Sequence, residues 1–158
     1  MKNPKIWHES ADVYNWAGMY EEAISCYDRA IAINPADDLA WFRKGFVLFM
    51  LDKNEESLEC YNRALAINPK NIDALENKGA HLLKMGKEQE AMEFFNAVIQ
   101  IEERKACAWF NRGMVFKKRR NYWEALASFD TGLTICPNDE DALRCVAEIL
   151  KCIVKRKK

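Results

Sequence analysis

The chain has 158 residues, 49% hydrophobic and 30% charged, with 24 Lys+Arg balanced by 24 Asp+Glu. This composition suffices for a buried core, and zero net charge argues against a polyanion binder. No apolar run approaches the roughly 18 residues that a bilayer span needs, and MKNPKIWHES lacks the apolar core and cleavage site of a signal peptide, so a soluble cytoplasmic protein is expected. Without a secreted context, the six cysteines read as buried or half-buried thiols acting as small hydrophobes rather than as a disulfide framework.

The dominant signal is a period of 34 residues. AIAINP at 30–35 returns as ALAINP at 64–69 and, more loosely, as GLTICP at 132–137. The same interval links Trp7, Trp41, Leu75 and Trp109, and it links Ala11, Gly45, Gly79 and Gly113. Further series are Ala23, Ser57, Ala91 and Ala125, then Tyr27, Tyr61, Phe95 and Phe129. Four units without insertion follow: 4–37, 38–71, 72–105 and 106–139.

In unit one, Gly18 marks a left-handed turn between two helices, and Pro35 stops the second. In unit two, Trp41, Gly45, Leu48 and Leu51 recur at helical steps, followed by Ser57, Leu58, Tyr61, Ala64, Leu65 and Ile67. Unit three repeats the turn at Gly86, and Pro69 and Pro137 close the second helices of units two and four. Asp37, Asn71 and Asp139 stand where they would cap the following first helix. Small residues Gly45, Gly79 and Gly113 allow close helix approach, and bulky aromatics such as Trp41 and Tyr61 fill the layer between units. No unit can hide its own apolar face, so neighbours must stack.

This pattern resembles the tetratricopeptide repeat, whose signature is tryptophan or leucine, glycine, tyrosine, alanine, an aromatic, alanine and proline over 34 residues. The resemblance spans residues 4–139. It implies an all-α fold, a right-handed α-solenoid of four helix–turn–helix repeats in one domain, with first helices lining a concave groove. Departures are Glu103 in a proline place, which predicts that IEERKA runs on as helix, together with Gly132 for alanine, Ser10 for leucine and Arg120 for a turn glycine. Residues 140–158 are expected to form a capping helix, with Leu143, Val146, Ala147, Leu150 and Ile153 as its apolar stripe. The N-terminal end is expected to be uncapped.

Nothing in the sequence supplies a catalytic constellation. The two histidines, His8 and His81, fall in different units, and no Ser-His-Asp order, HExxH, GxGxxG or P-loop occurs. No CxxC pair supports zinc, although Cys107, Cys136, Cys145 and Cys152 gather in the C-terminal third. The expectation is a non-catalytic protein without cofactor or metal.

The resemblance places particular first-helix residues on the concave side. These are Phe42, Arg43, Phe46, Phe49 and Met50 in unit two, Asn77, Ala80 and Leu83 in unit three, and Phe110, Asn111 and Met114 in unit four. The aromatics exceed what the core requires, and amides beside them suit a peptide backbone. The expected function is therefore a scaffold holding a peptide or helix of a partner protein, with packing between repeats as the alternative use of the phenylalanines. Chaperone-tail recognition is not expected. The two-carboxylate clamp of tetratricopeptide co-chaperones needs lysine and asparagine on one first helix, asparagine on the next, and lysine and arginine on the third, where units one to three carry His8 and Asp12, Arg43, and Asp73 and Asn77.

Two other readings remain. Self-assembly into a homo-oligomer is suggested by Trp7, Val13 and Tyr14 near the N-terminal end. Charge asymmetry points the same way: residues 1–105 carry 13 basic and 18 acidic side chains, and residues 106–158 carry 11 and 6. Recruitment to an anionic membrane or nucleic acid would use KKRR at 117–120 or KRKK at 155–158, but without interleaved aromatics neither partner is expected.

Overall fold

The computed structural model describes residues 3–155. Among these, nine α-helices follow one another: α1 (Pro4–Trp16), α2 (Tyr20–Ile33), α3 (Asp38–Met50), α4 (Asn54–Ile67), α5 (Ile72–Lys84), α6 (Glu88–Ile101), α7 (Ala106–Lys118), α8 (Tyr122–Ile135) and α9 (Glu140–Lys155). No strand occurs among the described residues. The architecture is all-α and of the α-solenoid class, built from helix–turn–helix repeats.

Every first helix ends the same way. A left-handed residue recurs at 34-residue intervals: Gly18 at φ +75°, Asp52 at +59°, Gly86 at +79° and Arg120 at +60°. Beyond each, a backbone N–H reaches back into the helix: Met19 to Tyr14, Lys53 to Leu48, Lys87 to Leu82 and Asn121 to Phe116, at 2.8–3.0 Å. This geometry satisfies the carbonyls orphaned at a helix C-terminus. At the start of first helices, Asp37 accepts from the Ala40 amide at 3.0 Å, Asn71 from Ala74 at 2.9 Å and Asp139 from Ala142 at 2.8 Å.

The predicted helical passage through IEERKA is broken. α6 stops at Ile101 and α7 starts at Ala106. Proline is dispensable here because the turn is held otherwise. Lys105 N–H donates to Glu102 at 3.1 Å, and the Trp109 indole donates to the Glu103 carbonyl at 2.7 Å. Trp41 makes the equivalent bond to the Pro35 carbonyl at 3.1 Å.

Two compact units emerge, residues 1–81 and 82–158. In the first, Ala11, Ala23, Cys26, Tyr27 and Val47 form a buried cluster, with Trp7, Tyr14, Tyr20 and Ile24 against it. In the second, Ala125, Phe129, Ala142 and Ile149 form the corresponding cluster, flanked by Phe110, Met114, Phe116 and others. Each such fully buried aromatic stabilises by roughly 1.5–3 kcal/mol. Close approach explains the glycines: a Cβ on Gly45 would lie 2.8 Å from the Tyr61 ring, and one on Gly113 would lie 3.0 Å from Phe129.

Three expectations need correction. The packed face of α9 is Ala142, Cys145, Val146, Ile149 and Ile153, whereas Leu143, Ala147 and Leu150 lie exposed. The apolar arc of this helix is broad, and α8 covers only half of it. At the N-terminal end, Trp7 and Tyr14 pack against the core, and the exposed apolar residues are Ile6, Val13 and Trp16. Among the cysteines, Cys26 and Cys60 are buried and Cys145 is half-buried, but Cys107, Cys136 and Cys152 are exposed.

Candidate functional site

All eleven residues expected on the concave side belong to first helices, and none is buried. In the first unit, α1, α2, α3 and α5 surround a recess of about 250 Å³ lined by Asp12, Asn15, Tyr27, Phe42, Arg43, Phe46 and Asn77. Its polar geometry is set by Asp12. The Tyr27 hydroxyl donates to one carboxylate oxygen at 2.8 Å, and the Arg43 guanidinium pairs with the other. Burial pushes the Tyr27 phenol well above its ordinary range, and the hydrogen bond to Asp12 adds to the shift. Tyr27 is therefore a fixed neutral donor, and Arg43 is a guanidinium held at the rim with its charge matched. Asn77 donates to the Asp73 carbonyl at 2.8 Å.

The three phenylalanines divide their roles. Phe42 stacks on Tyr61 at 6.2 Å and 28°, and Phe49 tilts onto the His81 ring at 4.8 Å. Phe42 therefore packs within its own repeat, and Phe49 packs between the second and third repeats. Phe46 lines the recess together with Phe42. Met50 and Ala80 are exposed, and Leu83 is half-buried, its carbonyl accepting from Lys118 Nζ at 3.5 Å.

In the second unit a larger recess of about 500 Å³ opens between α7 and α9. Phe110, Met114 and Phe129 supply apolar surface, Cys107 and Asn111 share the α7 side, and Ala142 and Cys145 form the facing wall. Phe110 stacks on Phe129 at 6.3 Å and 26°. Its ring also fills the space above Gly132, where a Cβ would lie 2.3 Å from it. The glycine in an alanine place thus lets Phe110 sink toward α8.

Lys117 and Glu148 bridge the two walls at 2.5 Å, and Lys117 also approaches the Cys145 thiol at 3.6 Å. The Glu148 hydrogen bond holds the Lys117 ammonium above its ordinary pKa, and the same bond lowers that of the Glu148 carboxyl. Sequence reasoning named Phe110, Asn111 and Met114 but missed Asp139, Arg144, Cys145 and Glu148 as lining residues. Counting α9 at the same repeat positions as the earlier first helices would have found Arg144, Cys145 and Glu148.

The histidines sit in structural settings. His81 is buried, with Nε2 2.8 Å from Asn54 Oδ1 and Nδ1 3.5 Å from the Ser57 hydroxyl, which donates to the Gly45 carbonyl at 2.8 Å. His8 pairs with Asp37 at 2.7 Å. Among the described residues no group of three or more His, Cys, Asp or Glu is arranged to hold a metal ion, and no helix is long and apolar enough to cross a membrane. Of the basic terminal run, Arg156, Lys157 and Lys158 lie outside the described residues.

Among solved structures, YrrB, described as a TPR protein with an unusual peptide-binding site, is 26% identical with a TM-score of 0.77, covering 89% of this chain and 73% of its own. PilF of Pseudomonas aeruginosa is 20% identical with a TM-score of 0.89, covering 96% and 69%. MamA from Desulfovibrio magneticus RS-1 is 17% identical with a TM-score of 0.79, covering 96% and 93%. The last two are likenesses of fold. No curated protein matches the chain. Tetratricopeptide repeat family models match residues 39–71, 106–139 and 60–93, and a TPR repeat model matches residues 11–52. The 34-residue period, the recurring left-handed turns and these matches agree, and the chain belongs to the tetratricopeptide repeat family.

Proposed function

We propose that this protein is a non-catalytic scaffold that holds an extended or helical segment of a partner protein against its first helices. The observation that carries the reading is the recess beside Phe46, where aromatic surface meets an Arg43 guanidinium fixed by Asp12 and an amide at Asn77. Apolar contact gives affinity there, and fixed polar groups give orientation. Phe110, Asn111 and Met114 offer the same combination in the second unit. YrrB, with its peptide-binding site, supports this use of the fold.

The test is affinity capture from native lysate with wild type and Phe42→Glu/Phe46→Glu, after circular dichroism shows that both fold. A protein retained by wild type and lost by the variant supports the reading. An identical retained set removes it.

A second reading is self-association. Ile6, Val13 and Trp16 form an exposed apolar stripe on α1, with Trp16 92% exposed, and residues 1–105 and 106–158 carry net charges of −5 and +5. Sedimentation that shows only monomer at high concentration and low salt eliminates it.

A further inference from the structure

The exposed stripe on α9 repeats a set of places whose occupant is known four times over within this chain. Stepping back by 34 residues, Leu143, Ala147 and Leu150 fall on Trp109, Gly113 and Phe116, then on Leu75, Gly79 and Leu82, and so on to Trp7, Ala11 and Tyr14. All twelve residues in the four repeats are buried or half-buried. Gly45 lies under the Tyr61 ring and Gly113 under Phe129, and Ala11 shares a cluster with Ala23 and Tyr27 of α2. On α9, by contrast, Leu143 is 47% and Leu150 48% exposed. The other face of α9, through Ala142 and Ile149, is already used against α8. What remains open is the face that elsewhere receives a second helix.

The chemistry of that missing helix can be read from those that are present. Each carries a small residue followed four later by an aromatic: Ala23 and Tyr27, Ser57 and Tyr61, Ala91 and Phe95, Ala125 and Phe129. Each also has acid in its first turn: Glu21 and Glu22, Glu55 and Glu56, Glu88 and Glu90, or Glu124. Short turns make each second helix antiparallel to its first, so this acidic turn lies near the end of the first helix. Such a turn also meets cations at the end of the next repeat's first helix: Glu88 of α6 pairs with Arg119, just beyond the end of α7, at 3.4 Å. The end of α9 carries Lys151 and Lys155. An acidic first turn is favoured there both by those cations and by its own helix dipole.

We infer that the Leu143–Ala147–Leu150 face of α9 is a docking site for an amphipathic helix of a partner protein. The partner helix lies antiparallel to α9, with acidic residues in its first turn and a small residue four places before an aromatic. The aromatic covers Ala147, as Tyr27 covers Ala11. This surface is separate from the recess beside Phe46.

The probe is a fluorescein-labelled peptide of residues 54–67, which has Glu55, Glu56, Ser57 and Tyr61 in the required order. It is held helical by a lactam between Glu59 and an Arg63→Lys substitution, because so short a helix is marginal alone in water. Fluorescence anisotropy is measured with the full chain. We expect saturable binding that weakens by about tenfold or more with Leu150→Glu, Ala147→Arg or a Tyr61→Ser peptide, and that persists with Phe46→Glu. Both α9 changes are at exposed positions, and circular dichroism confirms folding. No saturable binding to wild type, or equal binding to the α9 variants, overturns the inference. Loss with Phe46→Glu alone overturns it in favour of the recess on the first helices. A wild-type dimer that dissociates with Leu150→Glu and excludes the peptide overturns it in favour of a second copy of the chain.

Discussion

The Phe110 ring occupies the space that a side chain at position 132 would need, with its Cε1 2.3 Å from the place of a Gly132 Cβ. The equivalent second-helix residues Ala30, Ala64 and Val98 are all fully buried. Position 132 therefore trades helix propensity for aromatic packing. Gly132→Ala should gain about 1 kcal/mol of propensity and lose roughly 1–3 kcal/mol to overpacking, for a net destabilisation. With Phe110→Leu in the background, the same change should be neutral or stabilising. A double-mutant cycle by urea denaturation checks the sign reversal, and additive effects would contradict it.

Arg120 takes the left-handed conformation that Gly18 and Gly86 take in their own repeats, at φ +60°. A residue with a Cβ gives up roughly 1–2 kcal/mol in that region, and part of this returns through the greater freedom of glycine in the unfolded chain. Arg120→Gly should therefore stabilise by about 1 kcal/mol. Asp52→Gly should gain less, because aspartate tolerates the region better. Urea midpoints of the two variants, compared with wild type at constant slope, test the order.

Features set by local chemistry were legible in the sequence. The helix pairs, the caps at Asp37, Asn71 and Asp139, and the turn glycines all follow from residues close together in the chain, repeated at one interval. What depended on distant partners was not legible. The apolar positions of α9 fill a broad arc, and periodicity alone cannot say which half α8 covers. Glu103 signalled a continuing helix because the Trp109 indole that holds the turn acts from six residues away. The use of Gly132 required knowing where the Phe110 ring lies. Phe42 and Phe49 looked like surplus groove aromatics, yet Tyr61 and His81 engage both.

Asp37 and Asp139 both cap first helices, but only Asp37 has a second task. Its Oδ1 accepts the Ala40 amide and its Oδ2 meets His8 Nε2 at 2.7 Å, whereas His8 Nδ1 is buried without a hydrogen-bond partner. Asp139→Ala should cost about 1 kcal/mol, the ordinary loss for a cap. Asp37→Ala should cost more, about 2 kcal/mol, because the half-buried imidazole then loses its partner as well. Asp37→Asn, which can still cap, should fall between. Urea denaturation at neutral pH gives the ranking, and equal losses for the two alanine variants would remove the role assigned to His8.

Alkaline pH should weaken the fold through its buried acids. Burial pushes the Cys60 thiol from 9.0 to about 11 and the Tyr61 phenol from 10.0 to about 12, and Tyr27 shifts in the same direction. Each group holds its proton more tightly in the folded chain than in the unfolded one. Their contribution is therefore complete below about pH 9 and is lost as pH rises through 9 to 12. The urea midpoint should be level between pH 7 and 8.5 and then fall steadily. Cys60→Ala should lower the midpoint at every pH, because it leaves a small cavity, yet make its decline between pH 9 and 11 shallower. A parallel decline in wild type and variant would show that the Cys60 thiol does not ionise on unfolding in that range.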